Sequence, residues 1–312
     1  MRDSEYLLNL NCISKKYSSV KALDEIDLNI AHGEVLALLG ENGAGKTTTI
    51  SIALGFIRPD SGSAKILGEN PLNLSIAARS RIGFMFQDQE RSLPSSLSVK
   101  EIITQTCGYY RHHESLERCA EIAGISDVLS KRYKELSGGQ KRSMQFAMAI
   151  CGHPELIFLD EPTVGIDVRT RQRIWKHLRE LKKRGTSILL TTHYLEEAEA
   201  LADRVVVLDS GRIIYSGGIS SIIGAESPTI ITCYTTIAIE CLKSHRDVVS
   251  VEQMEAGVMI VTKNSDALLR WLFQHDENLA NIALRKGGLA DLFLGLTQNE
   301  REGRDGRDGG ES

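Results

Sequence analysis

The stretch GEVLALLGENGAGKTTTISIALGF, residues 33–56, decides the fold of this chain. It begins with an apolar run typical of a buried strand and ends in a helical pattern. Between them lies a glycine-rich turn that fits G-x-x-x-x-G-K-[ST]. The sequence therefore predicts a phosphate-binding loop inside an α/β fold with a parallel sheet; a glycine-rich turn without a ligand is the alternative.

The residue types of this loop indicate its chemistry. Glycines let backbone N–H groups wrap around phosphate oxygens, and the start of the following helix favours negative charge. Lys46 is expected to reach the terminal phosphates of a nucleotide, and the Thr47 hydroxyl to ligate Mg²⁺. We expect ATP to be contacted along the whole loop, by Gly40, Glu41, Asn42, Gly43, Ala44, Gly45, Lys46, Thr47 and Thr48.

A second apolar run ends in two carboxylates. ELIFLDE, residues 155–161, is typical of a buried parallel strand whose C-terminal end opens at a ligand crevice. We expect Asp160 to orient Mg²⁺ through water and Glu161 to act as the general base that polarises the attacking water. His193 ends the run TSILLTTH and is predicted at the same sheet edge, where it would contact the γ-phosphate; a structural histidine is the alternative.

Other patterns predict how the rest of the chain is organised. Apolar runs at 81–87 and 204–215 are further strand candidates, and the runs LLNLNCI and IDLNI predict an antiparallel flank. Helical spacing predicts a helical insertion at about residues 95–150. We therefore expect an ATP-binding domain over 1–220 and a small α+β appendage over 221–298. The charged, glycine-rich residues 299–312 are expected to be disordered.

Composition narrows the class of protein. With 312 residues, 42% hydrophobic and 25% charged, the chain is typical of a globular protein that buries a core. The net charge of -4 argues against a nucleic-acid partner held by bulk electrostatics. The six cysteines have no metal-binding spacing and are expected to be reduced thiols in the cytosol. No apolar run approaches the ~18 residues of a membrane span, so we expect another chain to supply any membrane part.

KELSGGQKR, residues 134–142, predicts a second anion cradle directly before a long helical pattern. Together with the loop at 40–48 and the strand ending in Asp160 and Glu161, it resembles the signature of the ATP-binding subunit of an ABC transporter. The resemblance covers residues 5–218. It implies that the signature residues Ser137, Gly138, Gly139 and Gln140 contact ATP bound by another copy of the cassette.

The resemblance implies roles for three more residues. Tyr17 would stack on adenine, although half-buried packing is its alternative. Gln87 in FMFQDQ, favoured over Gln89, would contact Mg²⁺ and the attacking water and face the membrane subunit. Asp167 would act across the dimer interface and can also cap a helix. The family's S-A-L-D is replaced here by VGID, residues 164–167, and this variant, like the C-terminal appendage, resembles the ABC-2 type exporter subgroup that includes drug-resistance proteins.

The resemblance also implies partners and a place of work. One phosphate loop and one signature loop make half of a paired site, so we expect a homodimer closed by ATP and reopened by hydrolysis. Separate integral membrane permease subunits would place the chain on the cytoplasmic face of the membrane, with no nucleic acid involved. A soluble ABC ATPase acting on ribosomes or DNA is the alternative; the single cassette and the absence of sustained heptads argue against it.

Overall fold

The computed structural model describes residues 6–86, 93–223 and 228–291. The chain divides into two compact units, Met1–Ser216 and Gly217–Ser312. The strands up to residue 218 are β1 (Tyr6–Tyr17), β2 (Val20–Ala31), β3 (Val35–Leu39), β4 (Ser61–Ile66), β5 (Ile82–Met85), β6 (Leu156–Asp160), β7 (Ser187–Thr191), β8 (Arg204–Asp209) and β9 (Arg212–Gly218). The helices of the first unit are α1 (Lys46–Ala53), α2 (Ile76–Arg79), α3 (Val99–Cys107), α4 (Leu116–Ala123), α5 (Gly138–Ile150), α6 (Val168–Lys183) and α7 (Leu195–Leu201).

A six-stranded sheet forms the centre of the first unit, in the order β5-β6-β7-β3-β8-β9. The strands from β5 to β8 pair in parallel. Every residue of β3, β6 and β7 is buried, which is why these strands read as continuous apolar runs. The predicted α/β fold with a parallel core is confirmed. Its C-terminal strand ends meet at one edge, and that edge carries the site described below.

The run at 204–215 is not the single strand that its sequence suggested. β8 ends at Asp209, and β9 begins at Arg212. Ser210 and Gly211 between them have φ values of 45° and 79°. Two successive residues with positive φ are typical of a tight hairpin turn, so the chain reverses here instead of continuing.

A three-stranded antiparallel sheet, in the order β2-β1-β4, confirms the predicted flank. Its buried side chains share one apolar core with the central sheet; Leu10 and Ile26 belong to the same cluster as Leu38 and Phe158. This shared core holds the flank against the strand that leads into the phosphate loop.

Helices α3, α4 and α5 lie in sequence between β5 and β6. Ser98 begins α3 with a capping box, its hydroxyl accepting from the Glu101 N–H at 3.2 Å while the Glu101 carboxylate accepts from the Ser98 N–H at 2.8 Å. α4 ends at Gly124, whose φ of 69° suits a glycine helix stop. α5 is the helix that follows the signature stretch, and its position relative to β6 matters for the site.

The second unit contains α8 (Ile219–Ile223), β10 (Thr229–Tyr234), α9 (Ile239–Lys243), β11 (Val248–Met254), β12 (Gly257–Thr262), α10 (Ser265–His275) and β13 (Ala280–Lys286). Its sheet is antiparallel, in the order β11-β12-β10-β13, with a core of its own that includes Ile231, Ile260 and Leu272. The residues after Tyr234 do not extend β10, because Thr235 and Thr236 turn to donate hydrogen bonds to Asp276 and α9 follows. The predicted tail lies outside the described residues.

None of the helices within the described ranges is long and apolar enough to cross a bilayer.

Candidate nucleotide-binding site

The phosphate loop, residues 40–45, joins the buried strand β3 to helix α1. Gly45 has a φ of 110°, and a Cβ there would lie 2.6 Å from the carbonyl oxygen of Ala22 in β2. Only glycine can bring the loop this close to the flanking sheet. The loop then enters α1, whose first residues are Lys46 and Thr47.

Lys46 is buried and folded back over its own loop. Its Nζ donates to the carbonyl oxygens of Gly40 at 2.7 Å and Glu41 at 3.0 Å. Burial lowers the pKa of Lys46, whereas the charges of Glu161 and Asp160 raise it. A buried cation that donates to backbone carbonyls can exchange them for phosphate oxygens, because phosphate brings the opposite charge.

The Asp160 carboxylate lies at the end of β6, almost fully buried. Its Oδ2 accepts from the Thr47 hydroxyl at 3.1 Å, and its Oδ1 accepts from the Thr191 hydroxyl at 2.6 Å. The structure therefore brings together the two described residues that were predicted as Mg²⁺ ligands. A hydroxyl next to a carboxylate is the oxygen donor set that Mg²⁺ prefers. Gln87, the third predicted ligand, lies outside the described residues.

Glu161 follows directly and has an unusual backbone. Its φ is 51°, in the left-handed region, which costs a residue other than glycine about 1–3 kcal/mol. Its N–H donates to Thr191, at 3.0 Å to Oγ1 and 3.1 Å to the carbonyl oxygen. Nδ1 of His193 lies 3.3 Å from Glu161 Oε1, and the His193 side chain is 46% exposed. The two residues thus converge at one edge of the sheet, although β7 itself ends at Thr191, two residues before His193.

Two buried residues at this edge escaped the sequence analysis. Arg142 of α5 donates to the carbonyl oxygens of Asp160 at 3.1 Å and Glu161 at 2.7 Å. Glu197 of α7 accepts from the Thr163 hydroxyl and from Trp175 Nε1, both at 3.0 Å. The one indication of either residue in the sequence is a charged residue at the apolar spacing of its helix.

The signature residues lie at the N-terminus of α5. Ser137 caps the helix: its hydroxyl accepts from the Gln140 N–H at 3.3 Å, while Gln140 Oε1 accepts from the Ser137 N–H at 3.1 Å. Ser137 and Gly138 are exposed, so the positive end of the helix dipole faces outward. Gly139 packs against the same chain, since a Cβ there would lie 2.6 Å from the carbonyl oxygen of Gly165.

Tyr17 and Asp167 occupy exposed positions. Tyr17 is the last residue of β1, and the ammonium of Lys15 lies 5.7 Å from the centre of its ring. Asp167 caps α6, accepting from the N–H groups of Arg169 at 3.0 Å and Thr170 at 3.1 Å. A hydrogen bond with the Thr170 side chain, together with those from the N–H groups of Thr170 and Arg169, lowers the pKa of Asp167. The capping role proposed from sequence is observed, and it leaves the Asp167 side chain at the surface.

Comparison with known proteins decides the family. A family model described as ABC transporter matches residues 23–164. The daunorubicin resistance ATP-binding protein DrrA3 of Streptomyces coeruleorubidus is 32% identical over 300 residues, which is 92% of this chain and 94% of that protein. The chain belongs to the ABC transporter family. It is an ATP-binding subunit and an ATPase of that family, as the resemblance implied.

One more relative and one solved structure are also similar to this ABC ATPase. Nod factor export ATP-binding protein I of Paraburkholderia xenovorans is 36% identical over 227 residues, 71% of this chain and 74% of that protein. The solved dimeric, post-hydrolysis structure of an ATP-binding cassette bound to ADP and Pi has a TM-score of 0.61 and 25% identity, covering 68% of this chain and 98% of that one. The fold of the cassette is therefore confirmed.

The ABC ATPase also presents a cluster of three phenylalanines, Phe56, Phe84 and Phe86, which we call the aromatic patch; Phe56 and Phe84 are exposed, and Phe86 is partly buried. Their ring centres lie 5.4–5.8 Å apart. Phe56 is 58% exposed. Beside the patch is a cleft of about 300 Å³, lined mainly by apolar residues that include Leu54, Leu72 and Ile82. Exposed aromatic side chains next to an apolar cleft are typical of a surface that binds another protein.

Proposed function

We propose that this ABC ATPase is the motor of an ABC-2 type exporter, working as a homodimer with separate membrane permease subunits. The names of its relatives support export, since one is a daunorubicin resistance protein and another is a Nod factor export protein. Binding to such permeases would hold the chain at the cytoplasmic face of the membrane. The observation that carries the proposal is the meeting of Thr47, Asp160, Glu161 and His193 at one sheet edge.

Mg²⁺ would be held by the Thr47 hydroxyl and, directly or through water, by the Asp160 carboxylate. The 3.1 Å contact between these two oxygens supports this assignment, because both can face one cation. When bound, Mg²⁺ would neutralise charge on the β- and γ-phosphates. Lys46 would exchange the carbonyl oxygens of Gly40 and Glu41 for phosphate oxygens. Because Lys46 is buried at the start of α1, its positive charge would stabilise the negative charge that develops on the transferred phosphoryl group.

Glu161 is proposed as the general base. Its carboxylate would accept a proton from the water that attacks the γ-phosphorus, while the bond from that phosphorus to the β–γ bridging oxygen breaks and ADP leaves. The nearby imidazole of His193 would donate a hydrogen bond to the γ-phosphate. Their 3.3 Å separation supports a shared target, since each can reach a group placed between them and the phosphate loop. Loss of the γ-phosphate then removes a partner from both residues.

The second half of the site would come from another copy. Ser137, Gly138 and the first N–H groups of α5 point outward and would contact the γ-phosphate of ATP bound by the partner. Asp167, also exposed, would lie at the same interface. ATP would then join two cassettes, and hydrolysis would remove hydrogen bonds that exist only in the closed dimer.

The variant Glu161→Gln tests the proposal. It keeps the size of the side chain but cannot take a proton, so we expect hydrolysis to fall by about 10²-fold or more while ATP binding survives. With Mg²⁺ and ATP, the variant should elute from a sizing column as a stable dimer. Glu155→Gln is the matched control, because Glu155 immediately precedes the opposite end of β6 and pairs with Arg81. A monomeric Glu161→Gln protein that hydrolyses ATP at the wild-type rate would contradict the proposal.

The aromatic patch is proposed as the surface that binds the permease. It lies at the C-terminal end of α1 and on β5, directly before the predicted loop residue Gln87. A permease segment seated there would contact Phe86, the residue directly before Gln87, which the resemblance assigns to Mg²⁺ and the attacking water. This position supports coupling between the membrane subunit and the ATP site.

A further inference from the structure

We propose that Arg142 is a positioning residue that holds the catalytic Glu161 of its own chain. The N-terminus of α5 would contact the partner's ATP. Through Arg142, α5 would therefore control hydrolysis at the site that contains Glu161 of the same chain. The inference rests on the proposed function, because it needs Glu161 as the base and α5 at the dimer interface.

The geometry of the guanidinium carries the first step. Arg142 is 8% exposed and donates from Nη2 to the carbonyl oxygens of Asp160 at 3.1 Å and Glu161 at 2.7 Å, and from Nε to Glu161 at 3.2 Å. A planar, permanently charged fork thus binds two successive carbonyls where the chain leaves β6. Both residues are buried, and buried carbonyl oxygens need hydrogen-bond donors.

The backbone of Glu161 carries the second step. Its φ of 51° is a conformation that a glutamate adopts only when its surroundings impose it. Arg142 fixes the carbonyl end of this residue, and Thr191 of β7 fixes its N–H end. Without the guanidinium, the peptide after Glu161 is free to relax toward an ordinary conformation, which would turn the carboxylate away from its target.

Helix α5 links this clamp to the partner's nucleotide. Ser137 caps the helix, and Arg142 lies little more than one turn further along it. The first turn also touches the loop before Asp167, since Gly139 packs against the Gly165 carbonyl. A shift of the helix start on contacting ATP therefore reaches the Glu161 backbone through one short, rigid element.

The first test compares Arg142→Met with Arg142→Lys. We expect both to bind ATP like the wild type, because Lys46 and Thr47 lie on a different element, the first turn of α1. Misplacing the base should lower kcat by about 10²-fold in Arg142→Met with little change in KM. Arg142→Lys keeps the charge but loses the planar fork, so its kcat should lie between those of the wild type and Arg142→Met. If Arg142→Met does not fold, Arg142→Lys decides: wild-type kcat would overturn the proposal.

Lys141→Met is the matched control. Lys141 is the neighbouring cation of α5, and its Nζ lies 5.4 Å from the ring centre of Tyr133. We expect Lys141→Met to keep wild-type kcat. An equal loss in both variants would mean that a cation near the signature matters, and not the clamp on Glu161.

Mixed dimers of two differently tagged copies test whether Arg142 acts within its own chain. Single-turnover hydrolysis is measured, so that one disabled site does not hide the other. When Arg142→Met and Glu161→Gln are on the same copy, both changes affect the same site. We therefore expect this dimer to be as active as a dimer that carries only Glu161→Gln on one copy. With the two changes on different copies, we expect activity as low as in the Arg142→Met homodimer.

The reverse pattern would overturn the inference, because Arg142 would then act through the signature loop on the partner's ATP. Full activity of the Glu161→Gln homodimer would instead contradict the proposed function. Wild-type activity of Arg142→Met beside an inactive Glu161→Gln would sink the inference alone.

Discussion

Gly43 and Gly45 lie two residues apart in the phosphate loop, and both have positive φ, 87° and 110°. Their surroundings differ. A Cβ at Gly45 would lie 2.6 Å from the Ala22 carbonyl oxygen, whereas a Cβ at Gly43 would have no atom within 4 Å. The backbone of one residue is therefore held against the flanking sheet, and that of the other is open toward the nucleotide side.

This difference predicts the outcome of alanine substitution. Gly45→Ala adds a clash to backbone strain, so its free energy of unfolding should fall by about 1–3 kcal/mol more than that of Gly43→Ala. Its affinity for ATP should fall as well, because the loop must move. Urea unfolding and ATP titration of the two variants measure these effects. Equal losses in both would show that the flank does not constrain the loop.

The sequence predicted the site residues that lie within short, recognisable motifs. A lysine and a threonine after a glycine loop, and two carboxylates after a buried strand, suggested Lys46, Thr47, Asp160 and Glu161 as one site, and the structure brings them together. Arg142 was not accessible, because its partners are backbone carbonyls 18 and 19 residues away. Such a contact depends on how α5 packs on the sheet, and a charged residue at the apolar spacing of a helix does not identify its partners.

Glu197 is another buried residue that the sequence did not identify, and it connects whole elements of the fold. Its carboxylate joins α7 to α6 through Trp175 and to the loop after β6 through Thr163. Burial raises the pKa of Glu197, and hydrogen bonds from Thr192, Trp175 and Thr163 offset this only in part. The elements on either side of Glu161 and His193 are thus connected by a buried carboxyl group whose pKa is raised.

This raised pKa predicts a pH dependence of stability. The folded protein retains the Glu197 proton at pH values where the unfolded chain has lost it. Stability therefore falls as pH rises from the ordinary glutamate range through the raised pKa, by about 1.4 kcal/mol for each unit of elevation. Glu197→Gln keeps an oxygen acceptor for Thr163 and Trp175 but cannot ionise. Its free energy of unfolding should lack this part of the decline.

Chemical denaturation of both proteins at about pH 5 and pH 8 measures the difference. Glu199→Gln on the same helix controls for the general loss of a negative charge. Parallel pH profiles for the wild type and Glu197→Gln would contradict a raised pKa.

At the scale of the whole molecule, every described candidate site residue lies in the unit Met1–Ser216. The order of its motifs predicted the sheet of this unit well, because parallel strands separated by helices allow few topologies. Strand ends were predicted less well: β7 ends two residues before His193, where the Tyr194 N–H donates to the Thr192 hydroxyl at 2.9 Å instead of continuing the sheet. Side-chain turns of this kind compete with the sheet and are decided locally.

The aromatic patch makes a prediction for the assembled transporter. If it binds the permease, Phe56→Ser should remove a buried aromatic contact and weaken binding by about tenfold or more. Phe273→Ser is the matched control, since Phe273 lies in the other unit and is 62% exposed, close to the 58% of Phe56. The chain is produced with and without the permease subunits, and the fraction that sediments with membranes is measured. Phe56→Ser should shift the chain to the supernatant while the purified variant still binds ATP, and Phe273→Ser should stay with the membranes. Retention of Phe56→Ser together with release of Phe273→Ser would contradict this prediction. Membrane binding would then depend on the second unit and not on the aromatic patch.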